Sequence, residues 1–236
     1  MTEEIFREDA YVKSCEATVV SVDETGIELD RTVFYYESGG QPGDTGTLTT
    51  GDGRTVAIID SRQDSTSKRQ VHVPADDSPG LVSGDTVTAT IDWDRRHRLM
   101  RMHSALHLLC AVVDAQITGA KVDAQKSRID FDPENATIDK VEMQAAVSEL
   151  IAADRPLAAR WITDEELAAQ PDLVRTMSVR PPTGIGQVRL MEIEGADLQP
   201  CGGTHVARTG EIGNMVIGKI ENKGKRNRRV NVRLED

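Results

Sequence analysis

At Asp92 the periodicity of the chain changes, and this change narrows the available folds more than any other feature. Before it, short runs rich in β-branched residues (EATVVSV, GIELD, TVFYY, RTVAIID and DTVTATID) are separated by clusters of Gly, Asp, Ser and Pro. That is the pattern of strands joined by turns. After it, Leu99, Met102, Leu106, Leu109 and Val113 recur at three- and four-residue steps. This spacing predicts an amphipathic helix running to about Gln116 and ended by Gly119. The turn-rich stretch DSPGLVSGD (77–85) precedes a last strand, so the boundary is placed near 90. The expectation is a small β-barrel or sandwich over residues 1–90 and a second domain over 91–236.

The second half alternates. A strand is expected at 127–132, a helix at 138–153, a strand at 157–162, and a short helix opened by a capping box of Thr163 and Glu166. A loop at 181–186 and strands at 187–193, 214–221 and 228–234 follow. The fold class is therefore α+β. A chain of 236 residues can bury two cores without disulfides. Its three cysteines, Cys15, Cys110 and Cys201, are odd in number and widely spaced, which predicts reduced thiols. No apolar run approaches a membrane span, and the acidic N-terminus lacks the regions of a secretory signal. A cytoplasmic protein without a membrane partner is expected. Arg outnumbers Lys by 20 to 8 within a net charge of -11, a balance that fits solubility in a salty cytoplasm and, as an average, disfavours nucleic acid.

The strongest chemical signal is HSALH, which puts His103 and His107 one helical turn apart on one face. Alone, two such histidines are more often polar residues beside an apolar stripe. A second pair, Cys201 and His205, brackets a turn in which Gly202 and Gly203 let the chain aim both side chains at one point. Three imidazoles and a thiolate suit one tetrahedral zinc ion per chain. Ser104 stands where an HExxH metalloprotease carries its Glu, which disfavours a protease. The two pairs lie too far apart for a zinc finger.

With these elements placed, DWDRRHRLMRMHSALHLL (92–109) followed by DLQPCGGTHVARTGEIG (198–213) resembles the editing domain of alanyl-tRNA synthetase. FYYESGGQPGDTG (34–46) is similar to the glycine-rich segment preceding that domain. The whole is most similar to the free-standing AlaX editing proteins. The resemblance implies a translation-factor-like β-barrel followed by a zinc-containing α+β editing domain shared with threonyl-tRNA synthetases. It implies hydrolysis of tRNA(Ala) mischarged with serine or glycine, with His103, His107, Cys201 and His205 as zinc ligands. One of the four, with Cys201 the first choice, would have to release the ion to open a coordination position.

The resemblance also suggests an active-site role for Gln41 in SGGQ and for Gln125, which falls on a Gln-Lys pair of the synthetase domain. Gly202, Gly203 and Thr204, beside the metal pair, complete the candidate substrate-binding set. Between Lys219 and Arg233 seven cations stand against one acid, a local +6. Lys223, Lys225, Arg226, Arg228 and Arg229 are expected tRNA contacts, as are Arg95 and Arg96 from a second cluster that includes Arg98 and Arg101. No phosphate-binding glycine loop is present, so no ATP site is expected. A non-catalytic zinc- and tRNA-binding module is the alternative to a deacylase, and a different ester or amide hydrolase a third reading.

Overall fold

The strands of the N-terminal part form where side chains alternate between core and solvent. In β2 (Ser14–Asp23), Ala17 and Val19 point inward while Glu16, Thr18 and Val20 face out. Short β1 (Glu3–Glu4) precedes it, and β3 (Gly26–Leu29) and β4 (Arg31–Thr32) follow. Then come β5 (Gly46–Thr50), β6 (Thr55–Gln63), β7 (Gln70–Pro74) and β8 (Thr86–Ile91). Six of these close an antiparallel barrel in the order β2-β3-β7-β6-β5-β8. Inside lie Val19, Leu29, Phe34, Leu48, Val56, Val87 and Ala89, each essentially removed from water. Burying a large aliphatic side chain contributes about 1.5–3 kcal/mol, and this core holds the barrel together. The structure, a computed structural model, describes residues 2–78, 80–133, 138–176, 186–224 and 226–235.

The run TVFYY, expected as a strand, is not one beyond Thr32. Arg31–Thr32 pairs in parallel with β1, and the next residues, Val33, Phe34 and Tyr35, are all buried in succession instead of alternating. Their backbone is satisfied by side chains. Tyr35 N–H donates to Asp44 (2.6 Å), Phe34 N–H to Thr32 (3.0 Å), and the Val33 carbonyl accepts from Arg96 (2.7 Å). The glycine-rich segment owes two of its glycines to close approach: a Cβ on Gly43 would stand 1.9 Å from the Ser61 carbonyl oxygen, and one on Gly46 2.1 Å from that of Thr90.

The chain divides into two compact units, 1–98 and 99–236. The division falls inside helix α1 (Trp93–Val112) and not ahead of it near 90, because Arg96 on its first turns belongs to the barrel's hydrogen-bond network. Asp92 caps the start of α1 by accepting from Arg95 N–H (3.1 Å). At the other end Arg175 donates to the carbonyls of Cys110, Val113 and Ala115, satisfying acceptors that a helix terminus leaves open. The helix therefore stops before Gln116. Residues Gln116–Lys121 form a strand, β9, with Gly119 inside it. Leu99, Met100, Met102, Ala105, Leu106, Leu108 and Leu109 are all buried, so α1 is enclosed on more than one side and is not the one-sided amphipathic helix its spacing suggests.

In the second unit, β9 pairs with β10 (Ser127–Asp132) in a four-stranded antiparallel sheet. Its order is β14-β15-β10-β9, with β14 at Met215–Asn222 and β15 at Arg228–Leu234. Helix α2 (Lys140–Ala152), capped by Asp139, lies against β14, where Gln144 accepts from Ile217 N–H and donates to the Met215 carbonyl. A second antiparallel sheet has the order β11-β12-β13, from β11 (Leu157–Thr163), β12 (Gln187–Ile193) and β13 (Asp197–Pro200). Helix α3 (Asp164–Ala168) opens with the expected Thr163–Glu166 capping box. Residues 181–185 of the expected loop lie outside the described residues.

Candidate metal centre

Two parts of the second unit converge to make the centre. Helix α1 carries His103 and His107, and the turn after β13 carries Cys201 and His205. Their ligand atoms all lie within 4.8 Å of one another. His205 Nε2 is 3.2 Å and His103 Nε2 3.6 Å from Cys201 Sγ. Neighbouring ligands on a tetrahedral zinc, with Zn–N about 2.0 Å and Zn–S about 2.3 Å, stand about 3.5 Å apart. Donor set and spacing therefore fit that ion. The three imidazoles are buried and Cys201 is partly exposed.

The turn that presents the thiol is fixed from below. Arg189 on β12 donates to the carbonyls of Cys201 (2.8 Å) and Gly203 (3.0 Å), and Gly203 N–H points at the Cys201 sulfur. Arg101 on α1 donates to the Ile212 carbonyl (3.0 Å), tying the helix to the segment just beyond.

The electrostatics match a cation site. Burial opposes a thiolate at Cys201, but the facing imidazoles of His103 and His205 outweigh it and hold the thiol well below its usual range. His205 is pushed well below the usual histidine range, first by burial and then by the charge of His103. At His107 burial works against the charged form, yet the hydrogen bond it donates to Asp197 and the facing Cys201 sulfur raise it to about 9. Three imidazoles and a readily ionised sulfur thus face one another in one buried space.

Two partners behind the ligands were not singled out by sequence reasoning. Asp197 Oδ2 lies 3.1 Å from His107 Nδ1, and Gln199 Nε2 lies 2.7 Å from that oxygen. Ser104 Oγ lies 3.1 Å from His205 Nδ1 and accepts from Val206 N–H (3.2 Å). One signal existed: Asp197, Gln199 and Cys201 sit at alternate positions, which a strand turns to one face.

The remaining expected residues are scattered. Thr204 is buried between Gly203 and His205, and Gly202 is exposed. Gln125 sits on the exposed turn between β9 and β10, its N–H bonded to Asp123 (2.9 Å). Gln41 belongs to the first unit and is fully buried, in a backbone bridge with Ser38.

Of the expected tRNA contacts, Arg96 has to be corrected. It is 0% exposed, ion-paired with Asp44, and donates to the Ala10 and Val33 carbonyls, so it holds the barrel and cannot reach a phosphate. Arg95 is half-buried and donates to the Gly43 carbonyl. In the C-terminal cluster Arg229 grips Asp130 through two bonds (2.7 and 2.8 Å), Arg226 pairs with Asp132 and Lys223 with Glu221. Among the described residues Arg228 donates to carbonyls, those of Gly224 and Asn227. Lys225 lies outside the described residues. Among the described residues no helix is long and apolar enough to cross a membrane.

Known proteins resemble this chain along its full length. Residues 188–231 match the family described as "Threonyl and Alanyl tRNA synthetase second additional domain", and residues 5–95 match "tRNA synthetases class II (A)". The alanyl-tRNA editing protein AlaX-M of Methanosarcina barkeri is 40% identical over 243 residues, covering 100% of both chains. AlaX-M of Saccharolobus solfataricus is 35% identical, covering 98% of each. The alanine–tRNA ligase of Sulfurisphaera tokodaii is 34% identical over 93% of this chain, which corresponds to 25% of that protein.

Proposed function

The chain belongs to the family of alanyl-tRNA editing proteins, and from that premise we propose that it is a zinc-dependent deacylase of tRNA(Ala) mischarged with serine, with glycine-charged tRNA(Ala) as a second substrate. The observation that carries this reading is the convergence of His103, His107, Cys201 and His205 on one point. A synthetase pocket shaped for alanine rejects an added hydroxyl by only about a hundredfold. A second site that hydrogen-bonds the serine hydroxyl discriminates further, because alanine would leave a buried polar group unpaired.

His103, His107, His205 and Cys201 are the residues assigned to the ion. When bound, zinc supplies a Lewis acid that polarises the ester carbonyl or acidifies a water. The protein residues do the rest. Arg189 holds the Cys201–Gly203 turn in shape, which fixes the direction of the thiolate. The partial exposure of Cys201 favours it as the ligand that yields a coordination position. Thr204 is assigned to the substrate's side chain on its place between two ligands, and Gln125 remains assigned to substrate binding on the family resemblance. The scissile bond is an activated ester, so a positioned water suffices as nucleophile.

The test is a deacylation assay on tRNA(Ala) charged separately with serine, glycine and alanine, with zinc measured on the same preparation. Serine should be released at a rate far above the spontaneous one and alanine spared. A zinc-loaded protein that binds tRNA and releases no amino acid would be the non-catalytic module. Equal release of all three would point to an unselective esterase.

A further inference from the structure

Two nitrogens face one carboxylate oxygen behind His107. Asp197 Oδ2 is 3.1 Å from His107 Nδ1 and 2.7 Å from Gln199 Nε2, and the two nitrogens are 3.0 Å apart. A carboxylate only accepts hydrogen bonds. Turning the Gln199 amide over would set its oxygen against Oδ2, so its NH2 must face Asp197. Both nitrogens then donate to Oδ2, and the short Nε2···Nδ1 approach is a contact between two donors sharing an acceptor. The ring therefore carries a proton on Nδ1 whatever its charge, which leaves Nε2 as the nitrogen turned toward the other ligand atoms and free to offer its lone pair to an ion.

We propose that Asp197 is a positioning residue for the metal centre, selecting the tautomer of His107 that can bind the ion and fixing its ring plane, with Gln199 holding Asp197 in turn. The inference rests on the zinc reading above. Asp197 suits the role for three reasons. Its side chain is 4% exposed, so little water competes for His107. It stands on β13 at the same alternate positions as Gln199 and Cys201, so the strand that delivers the thiolate also delivers the group that orients the histidine on the opposite element. It is also the charged member of an asymmetric pair, since the partner behind His205 is the neutral hydroxyl of Ser104. An anionic acceptor raises the basicity of a ligating imidazole more than a hydroxyl does, and such partners are commonly worth about 10- to 100-fold in metal affinity.

The test uses the full chain and the variants Asp197→Ala, Asp197→Asn and Ser104→Ala. Zinc affinity is measured by competition with a chromophoric chelator, and the His107 tautomer by long-range 1H–15N correlation on 15N-histidine protein. Asp197→Ala should bind zinc about 10- to 100-fold more weakly and lose the fixed Nδ1–H pattern. Asp197→Asn, which keeps the shape and one acceptor oxygen, should recover part of the affinity, and Ser104→Ala should lose less than Asp197→Ala. If Asp197→Ala does not fold, the Asn variant carries the comparison. Asp197 variants that bind zinc within twofold of the parent with an unchanged Nδ1–H signal would overturn the inference alone. A parent chain that binds no zinc would overturn the metal reading beneath it.

Discussion

The protein buries two polar clusters, one in each unit, and they are built on opposite principles. In the barrel, Arg96 and Asp44 form a buried ion pair whose hydrogen bonds all end on protein groups: the carboxylate takes Arg96 and Tyr35 N–H, and the guanidinium takes the Ala10 and Val33 carbonyls. Charge and hydrogen bonding are both closed internally. In the second unit, His103, His107, Cys201 and His205 aim their ligand atoms at one another, an arrangement that a shared cation suits. A buried cluster balanced by its own members speaks for architecture, and one whose members all face a common point speaks for a ligand. By that test Arg96 moves out of the tRNA-binding set and the four metal candidates stay together.

The largest expected effect breaks the second cluster. Replacing His103 and His107 together with Ala removes two of four ligands, so elemental analysis should find zinc lost and the deacylation assay no turnover above background. Stoichiometric zinc in that variant would show that the ion lies elsewhere. Breaking the first cluster should leave chemistry alone and cost stability. Asp44→Ala strands a buried guanidinium, which costs about 3–5 kcal/mol and should appear as a lower midpoint in urea, with the zinc stoichiometry of the folded fraction unaltered.

The histidines sharpen the same contrast. His72 is as buried as the metal candidates, but it sits in the barrel between the Thr32 hydroxyl (2.9 Å) and the Ile27 carbonyl (2.9 Å), edge-on to Phe34. Burial pushes it down to about 4, against the opposing effect of the Ile27 carbonyl. Its folded value is below its unfolded one, so the unfolded chain takes up the proton first. The stability linked to neutral His72 is whole above about pH 6.5 and is lost as the pH falls toward 4, about 3 kcal/mol in all. Unfolding free energies of the parent and of His72→Gln, measured from pH 8 to 4, should differ by that acid limb. Parallel profiles would mean that His72 is already charged in the fold.

These pairs also show what the sequence could reveal. His103 and His107 were readable because a strong helical period fixes which residues share a face. Cys201 and His205 were readable because two glycines between them announce a turn. Strand β13 was not, since both faces of Asp-Leu-Gln-Pro are covered: Leu198 packs beside Leu167, Val188 and Leu190, and Gln199 is buried toward polar partners, so no polar, exposed face alternates with an apolar one. Strand β9 was hidden by Gly119 and by a helix pattern running into it. The TVFYY segment misled in the other direction, because β-branched and aromatic residues read as a strand even where consecutive side chains are buried and the ladder is replaced by Asp44 and Arg96. A long-range pair such as Arg96–Asp44 leaves no local periodicity to read, and for His107–Asp197 the alternation of Asp197, Gln199 and Cys201 marks a shared face without naming the partner across from it.

Charge separates the units again and leads to the finest prediction. Residues 1–98 hold ten cations against nineteen acids, a net of -9, and residues 99–236 hold eighteen against twenty, a net of -2. The acidic average therefore belongs mainly to the barrel, and an RNA backbone should be met by the second unit. Within the C-terminal cluster the cations are not equivalent. Arg229 is committed to Asp130, whose carboxyl is drawn below its usual range when Arg229 and Arg128 outweigh the opposing burial. Arg228 spends its hydrogen bonds on neutral carbonyls and keeps its charge uncompensated by them. Arg228→Ala should therefore weaken tRNA binding and lower the slope of log K against log salt by about 1. Arg229→Ala should alter that slope less and instead lower stability, by freeing Asp130 between β10 and β15. Filter binding from 50 to 200 mM salt, paired with urea unfolding of each variant, distinguishes the two. An equal change in slope would mean that Asp130 does not hold Arg229 away from the phosphates.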